Sequence, residues 1–183
     1  STPFSREEID LLNELDVEFF KVASMDINNY QLLKYIAKFD KPILLSTGMA
    51  TLNEIIAALK VLKKKKKDLV ILHCSSDYPA NLKNLNLSFL NKLKNLGYDV
   101  GYSDHSASIL TPSIAVALGC KVIEKHFTLS SNLGGLDAKH SLDPDQLKEY
   151  VNEIRGIEQS LSITNRKITE NEKFTRKRAR RGL

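Results

Sequence analysis

Five short apolar runs punctuate the chain, and each closes in a polar cluster. They are Phe19-Phe20-Lys21-Val22-Ala23-Ser24, Ile43-Leu44-Leu45-Ser46-Thr47-Gly48, Val70-Ile71-Leu72-His73-Cys74-Ser75, Val100-Gly101-Tyr102-Ser103-Asp104-His105 and Val122-Ile123-Glu124-Lys125-His126. Runs this short and continuous fit strands buried on both faces. Between them the spacing changes to that of amphipathic helices. Ser5 with Glu8, and Thr51 with Glu54, have capping-box spacing ahead of Ile9, Leu12 and Leu15, and of Ile55, Ala58, Leu59 and Leu62. Residues 29–39, 88–96 and 111–118 read as the intervening helices, with Gly97 and Gly119 placed to cap two of them. Asp143-Pro144 with Gln146 opens a last long helix, whose buried face is expected to carry Leu147, Val151, Ile154 and Leu161.

Strand onsets recur roughly every twenty to thirty residues with a helix between each pair, an alternation that makes a parallel α/β sheet. The fold class read from it is a TIM (β/α)8 barrel, whose functional groups sit at the C-terminal ends of the strands. An open doubly wound sheet competes, but neither G-x-G-x-x-G nor a P-loop is present. Eight strands close such a barrel. Five whole ones are legible here, with Ser1-Thr2-Pro3-Phe4 as the remnant of another. The chain is therefore expected to run from the end of strand 3 through strand 8 and its helix, the missing strands lying before Ser1. No initiator Met stands at the start, and no terminating helix is expected before Gly182-Leu183. Both ends read as cut, and such a fragment is expected to be inactive alone.

The 183 residues are 42% hydrophobic, which is ordinary for one soluble domain. No apolar run approaches the ~20 residues that cross a bilayer, and the start carries no signal-peptide pattern. Cys74 and Cys120 offer no disulfide framework, which fits reduced thiols and a cytoplasmic location. The formal charge of +5 comes from two blocks, Lys63 to Lys67 and Lys173 to Arg181; the rest of the chain is acidic. Lysines closing a helical pattern suit the negative end of the helix dipole better than a nucleic-acid or membrane surface. Residues 166–183 read as a basic linker leaving a barrel domain that spans 1–165.

Chemistry concentrates at the strand ends. His105 and His126 close consecutive strands, and parallel neighbours lie ~5 Å apart. The two imidazoles can therefore share one divalent ion that keeps open positions for water and substrate. Lys21 sits inside an apolar run, where an ammonium needs an anion. An internal carboxylate, a substrate phosphate or carboxylate, and a Schiff base all stay open for it. Ser24, Ser46, Thr47 and Ser103 add hydroxyl donors suited to an oxyanion. His73 and Cys74 are adjacent in a strand, so they point to opposite faces and cannot pair, and Cys74 reads as core. Glu124 shares the parity of His126 and enters the interior as a ligand's partner or an ion-pair member. Asp137 lies in the Gly134-Gly135-Leu136-Asp137 loop, within reach of the site, and His140 in the same loop reads as exposed.

Together S-T-P-F-S, F-K-V-A-S, L-S-T-G-M-A, L-H-C-S-S-D-Y-P, G-Y-S-D-H and I-E-K-H-F-T, in this order, closely resemble the sialic acid synthase family, which includes legionaminate and pseudaminate synthases. The resemblance covers essentially the whole chain. It implies a TIM barrel followed by a small antifreeze-like domain that docks on the partner subunit of a homodimer. It implies condensation of phosphoenolpyruvate with an N-acetylated hexosamine of the N-acetylmannosamine type, releasing phosphate. The cofactor implied is a divalent metal, Mn2+ first and Mg2+ or Co2+ after it, held by His105 and His126. Phosphoenolpyruvate contacts would fall to Thr2, Lys21, Ser24, Ser46 and Ser103, and sugar contacts to Asp26, Tyr78 and Asp137, with Asp26 also a candidate acid–base group. Ser76 stands where some members have asparagine, and Asp137 to Ser141 reads D-A-K-H-S where many have D-H-K-A-S. Two alternatives accompany this reading: another phosphoenolpyruvate–aldose synthase of the same barrel type, and an inactive remnant.

Overall fold

The structure, a computed structural model, describes residues 1–63, 66–135, 137–162 and 165–182. Lys64 and Lys65 of the lysine block, Leu136 of the glycine loop and Leu183 lie outside the described residues. Five strands, β1 (Phe20–Val22), β2 (Ile43–Ser46), β3 (Leu69–Cys74), β4 (Asp99–Asp104) and β5 (Val122–Lys125), form one parallel sheet in chain order. A doubly wound sheet reverses its strand order at a switch point. Here each strand simply adds beside its predecessor, as the staves of a barrel do.

The sheet is curled, and one ion pair shows it. β1 and β5 are its two edges, ~19 Å apart if four strand spacings were laid flat. Yet Lys21 of β1 reaches Glu124 of β5, with Nζ 3.1 Å from each carboxylate oxygen. The pair spans the concave side of a half-barrel.

Helices α1 (Arg6–Glu14), α2 (Tyr30–Ile36), α3 (Leu52–Leu62), α4 (Phe89–Lys94), α5 (Thr111–Ala117) and α6 (Pro144–Leu161) alternate with the strands, and α7 (Glu170–Ala179) follows. Their starts follow the expected chemistry. Thr51 with Glu54 and Asp143 with Gln146 form complete capping boxes. Ser5 accepts from the Glu8 amide, while the Glu8 carboxylate turns instead to the Phe4 amide. Gly97 and Gly119 end α4 and α5 at φ +82° and +95°, where a side chain is strained. Lys63 is the left-handed C-cap of α3, so the lysine block does begin at a helix end.

Alternation sorts each strand's side chains. Phe20, Val22, Ile43, Leu45, Leu69, Ile71, Val100 and Tyr102 face the helices and bury against Ile9, Leu33, Ile36, Ile55, Leu62, Leu90 and Leu93. The alternate set, Lys21, Ser46, Cys74, Ser103 and Glu124, faces the concave interior.

Four expectations change. Ser1–Phe4 forms no strand, although the Ser1 carbonyl accepts the Lys21 amide at 2.9 Å and so runs beside β1. β5 is only half-buried because it edges the sheet. In α6 Tyr150 is buried while Val151 and Leu161 are 40% and 52% exposed. The inward stripe is Leu147, Tyr150, Ile154 and Ile157, because the helix packs along α5 on that face only. The tail carries α7, opened by a Thr169–Glu172 capping box. Among the described residues no helix is long and apolar enough to cross a membrane.

Gly101 makes the β4–β5 contact possible. A Cβ there would lie 2.4 Å from Leu72 Cδ2 and 2.6 Å from the Val122 carbonyl oxygen. The leucine can turn aside, but the carbonyl belongs to the neighbouring strand. Overpacking of this kind costs about 1–3 kcal/mol, so Gly101→Ala should lower the thermal midpoint by roughly 2–12 °C. Circular dichroism melting measures it, and an unchanged midpoint would show that the ladder widens freely.

Candidate active site

The C-terminal ends of the five strands open on one cavity of about 810 Å3. Thr2, Lys21, Ser24, Ser46, Ser76, Tyr78, Ser103, His105, His126 and Asp137 all line it. Strands of different length deliver them to one level, because parallel pairing sets Cys74, Ser103 and Glu124 side by side.

The floor is a charged cluster. Lys21 is 13% exposed and pairs with Glu124, which also accepts the Ser103 hydroxyl at 2.6 Å. Of the partners open to Lys21, an internal carboxylate is the one found. Ser24, on the turn after β1, accepts the Gly48 amide at 2.9 Å and lies 3.1 Å from Cys74 Sγ. Ser46 is 2% exposed, and its hydroxyl has no hydrogen-bond partner among the described residues. A buried hydroxyl lining a cavity without a partner is one that a ligand can satisfy.

The histidines lie beside this cluster, with His105 Nε2 3.5 Å from Ser103 Oγ. Their ring centroids are 5.2 Å apart, and Tyr78 lies 4.3 Å from His105 and edge-on to His126 at 5.7 Å. The His105 Nδ1 faces the Ser75 carbonyl at 2.5 Å. A carbonyl only accepts, so Nδ1 carries the hydrogen and Nε2 the lone pair. Burial holds the His105 pKa below the usual value, opposed by the Ser75 bond and assisted by His126. The ring is therefore neutral near pH 7 and able to ligate. His126 Nδ1 lies 3.8 Å from Asp137 Oδ2. Among the described residues no group of three or more His, Cys, Asp or Glu is arranged to hold an ion. The two imidazoles are the nitrogen donors that meet at this mouth, their ring centroids 5.2 Å apart.

Asp26 does not line the cavity. It closes the 3-10 turn after β1, where Oδ1 accepts the Asn29 side-chain amide at 3.1 Å and Oδ2 has no partner among the described residues. Thr47 donates to the Leu72 carbonyl at 3.0 Å, so its hydroxyl is committed to the backbone. His73 points outward to the Leu85 carbonyl, burial lowers its pKa, and it stays apart from Cys74 as alternation requires. Cys74 is buried at 6% exposure, as expected, and its side of the strand also lines the cavity. His140 lies 6.2 Å from the Tyr78 ring.

Sequence reasoning passed over Gly48. A Cβ there would sit 2.3 Å from Ser76 Oγ, 2.8 Å from Cys74 Sγ and 2.9 Å from Ser24 Oγ. Its strand-end position in L-S-T-G-M-A was the available signal.

A parallel half-barrel with its polar groups at the strand C-termini defines the class, a (β/α)-barrel protein with a mouth site. Within that class the chain belongs to the NeuB family, whose model matches residues 1–166. It is 47% identical over 176 residues to N,N'-diacetyllegionaminic acid synthase of Campylobacter jejuni, covering 94% of this chain and 53% of that protein. Pseudaminic acid synthase of the same species is 39% identical over 182 residues, 96% of this chain and 53% of that one. A solved structure, N-acetylneuraminic acid (sialic acid) synthetase from Leptospira borgpetersenii in complex with citrate, matches with TM-score 0.86 at 38% identity, covering 99% of this chain and 65% of that one. The chain spans about half the length of the curated relatives it matches.

Proposed function

We propose that this chain supplies the mouth of a synthase that condenses phosphoenolpyruvate with an N-acetylated hexosamine, giving a nonulosonic acid and inorganic phosphate. The observation that carries the reading is that the Lys21–Glu124–Ser103 cluster and the pair His105 and His126 line one cavity side by side, Ser103 Oγ lying 3.5 Å from His105 Nε2. Membership of the NeuB family supports it.

In this reading the ammonium of Lys21 and the hydroxyls of Ser24, Ser46 and Ser103 bind the phosphate and carboxylate of phosphoenolpyruvate. Tyr78 and Asp137 border the sugar. His105 and His126 would hold a divalent ion, Mn2+ ahead of Mg2+ or Co2+, which would supply Lewis acidity for the sugar aldehyde. C3 of the enol phosphate bonds to the aldehyde carbon, whose oxygen takes a proton. Water adds to C2 and gives up its proton, and the tetrahedral carbon expels phosphate to leave the 2-keto acid. Glu124, within reach of both Lys21 and Ser103, is placed to take the water's proton, a role that fits it better than Asp26. Lys21 and the hydroxyls then hold the growing phosphate charge.

The test is phosphate release by the intact protein with phosphoenolpyruvate and N-acetylmannosamine, a 2,4-diacetamido hexose, or a non-acetylated aldose phosphate. Release is expected only with an acetamido sugar, to stop on chelation and to return with Mn2+. Release that needs the non-acetylated sugar would assign the chain to another synthase of the same barrel, and full activity after exhaustive chelation would remove the metal.

A further inference from the structure

Behind the two histidines, on the helix side of the sheet, lies a second polar cluster that no step of the proposed reaction uses. Asp104 is fully buried and Lys125 is 5% exposed, with Nζ 3.3 Å from Oδ2. β4 and β5 pair them directly in register. Each immediately precedes a mouth histidine, Asp104 before His105 and Lys125 before His126.

The carboxylate is saturated. Oδ1 accepts from the Tyr102 hydroxyl at 3.1 Å and the Ser106 amide at 2.8 Å. Oδ2 accepts from the Thr111 hydroxyl at 3.1 Å and the Tyr150 hydroxyl at 2.9 Å, besides Lys125. Lys125 also donates to the Ser106 carbonyl. The donors come from β4, the loop after it, α5, α6 and β5, so one carboxylate ties five segments together. Burial, with Asp104 adding to it, raises the pKa of both tyrosines, which therefore remain donors.

A buried ion pair is weak evidence for stability, since well-packed apolar side chains do as well. What it provides beyond an apolar pair is direction. We propose that the Asp104–Lys125 pair, anchored to α6 through Tyr150, is a positioning device that fixes the two strand ends so that His105 and His126 face each other across the site. Slippage of either end would turn its imidazole away from the other, because the next residue of a strand points to the opposite face. In particular it would break the contact between His105 Nδ1 and the Ser75 carbonyl.

The metal arm of the test rests on the proposed function; the spectroscopic arm does not. The variants are Tyr150→Phe, which removes one hydroxyl and keeps the ring, and the neutral pair Asp104→Asn with Lys125→Met. In 15N-histidine spectra of the metal-free protein, wild-type His105 should show one tautomer, with the hydrogen on Nδ1. Both variants, shown by circular dichroism to be folded, should show mixed tautomers, and Mn2+ affinity should fall about tenfold, as when a ligand's support is removed. If the neutral pair fails to fold, Tyr150→Phe decides alone. A single unchanged tautomer in a folded variant overturns the positioning role. If wild type takes no Mn2+, the metal reading falls while the tautomer result still decides this one.

Discussion

Replacing His105 or His126 with alanine should slow phosphate release by the intact protein about a hundredfold or more while the fold survives. Lewis-acid stabilisation of a developing charge supplies several kcal/mol, and about 3 kcal/mol corresponds to that factor. The two variants should differ in stability. His105 is 7% exposed and packed on Tyr78, so its removal leaves a cavity. His126 has a 31% exposed side chain at a sheet edge, where less packing is lost. His105→Ala should therefore melt lower than His126→Ala, although both lose turnover alike. Equilibrium dialysis should show Mn2+ retained by wild type and lost by both variants. Undiminished turnover in either variant would remove that histidine from the reaction.

The parts of the site legible in the sequence are those that a local rule governs. Strand parity put Glu124 on the face of His126, because alternation along a strand does not depend on what the strand packs against, and the ends of consecutive strands brought His105 and Ser103 beside them. The separation of His73 from Cys74 followed from the same rule. Helix starts were legible where two residues exchange bonds, as at Thr51 with Glu54. The same spacing at Thr169 and Glu172 was present in the tail, but six basic side chains between Lys173 and Arg181 argued for a linker and hid it.

What the sequence did not carry depends on curvature. Lys21 and Glu124 are 103 positions apart and on opposite edges of the sheet. No periodicity says that they touch; only the curl brings them together. Asp26 shows the converse. It is two residues from Ser24, yet the 3-10 turn turns Oδ1 to Asn29 and keeps the residue out of the cavity lining. On α6, Leu147 and Ile154 face inward as expected, but Val151 and Leu161 do not, for a related reason. Several apolar stripes fit its sequence, and the position of α5 selects the one through Tyr150.

Lys21→Ala should raise the KM for phosphoenolpyruvate by roughly ten- to a hundredfold and also lower kcat. A hydrogen bond to a charged group contributes about 1.5–3 kcal/mol, which corresponds to that range. The fall in kcat follows because the phosphate gains charge as it leaves, so the ammonium holds the transition state more tightly than the bound substrate. Lys21→Arg should restore only part of the loss, since a planar guanidinium cannot occupy the place of a compact ammonium paired with Glu124. Because Lys21 and Glu124 pair in the free protein, a purely structural role makes a different forecast. Under it Lys21→Ala would lower the melting midpoint and leave both kinetic constants alone. Steady-state kinetics on a variant shown by circular dichroism to be folded separates the two. Unchanged KM and kcat would reduce the pair to a brace across the half-barrel and return the anion site to the hydroxyls alone.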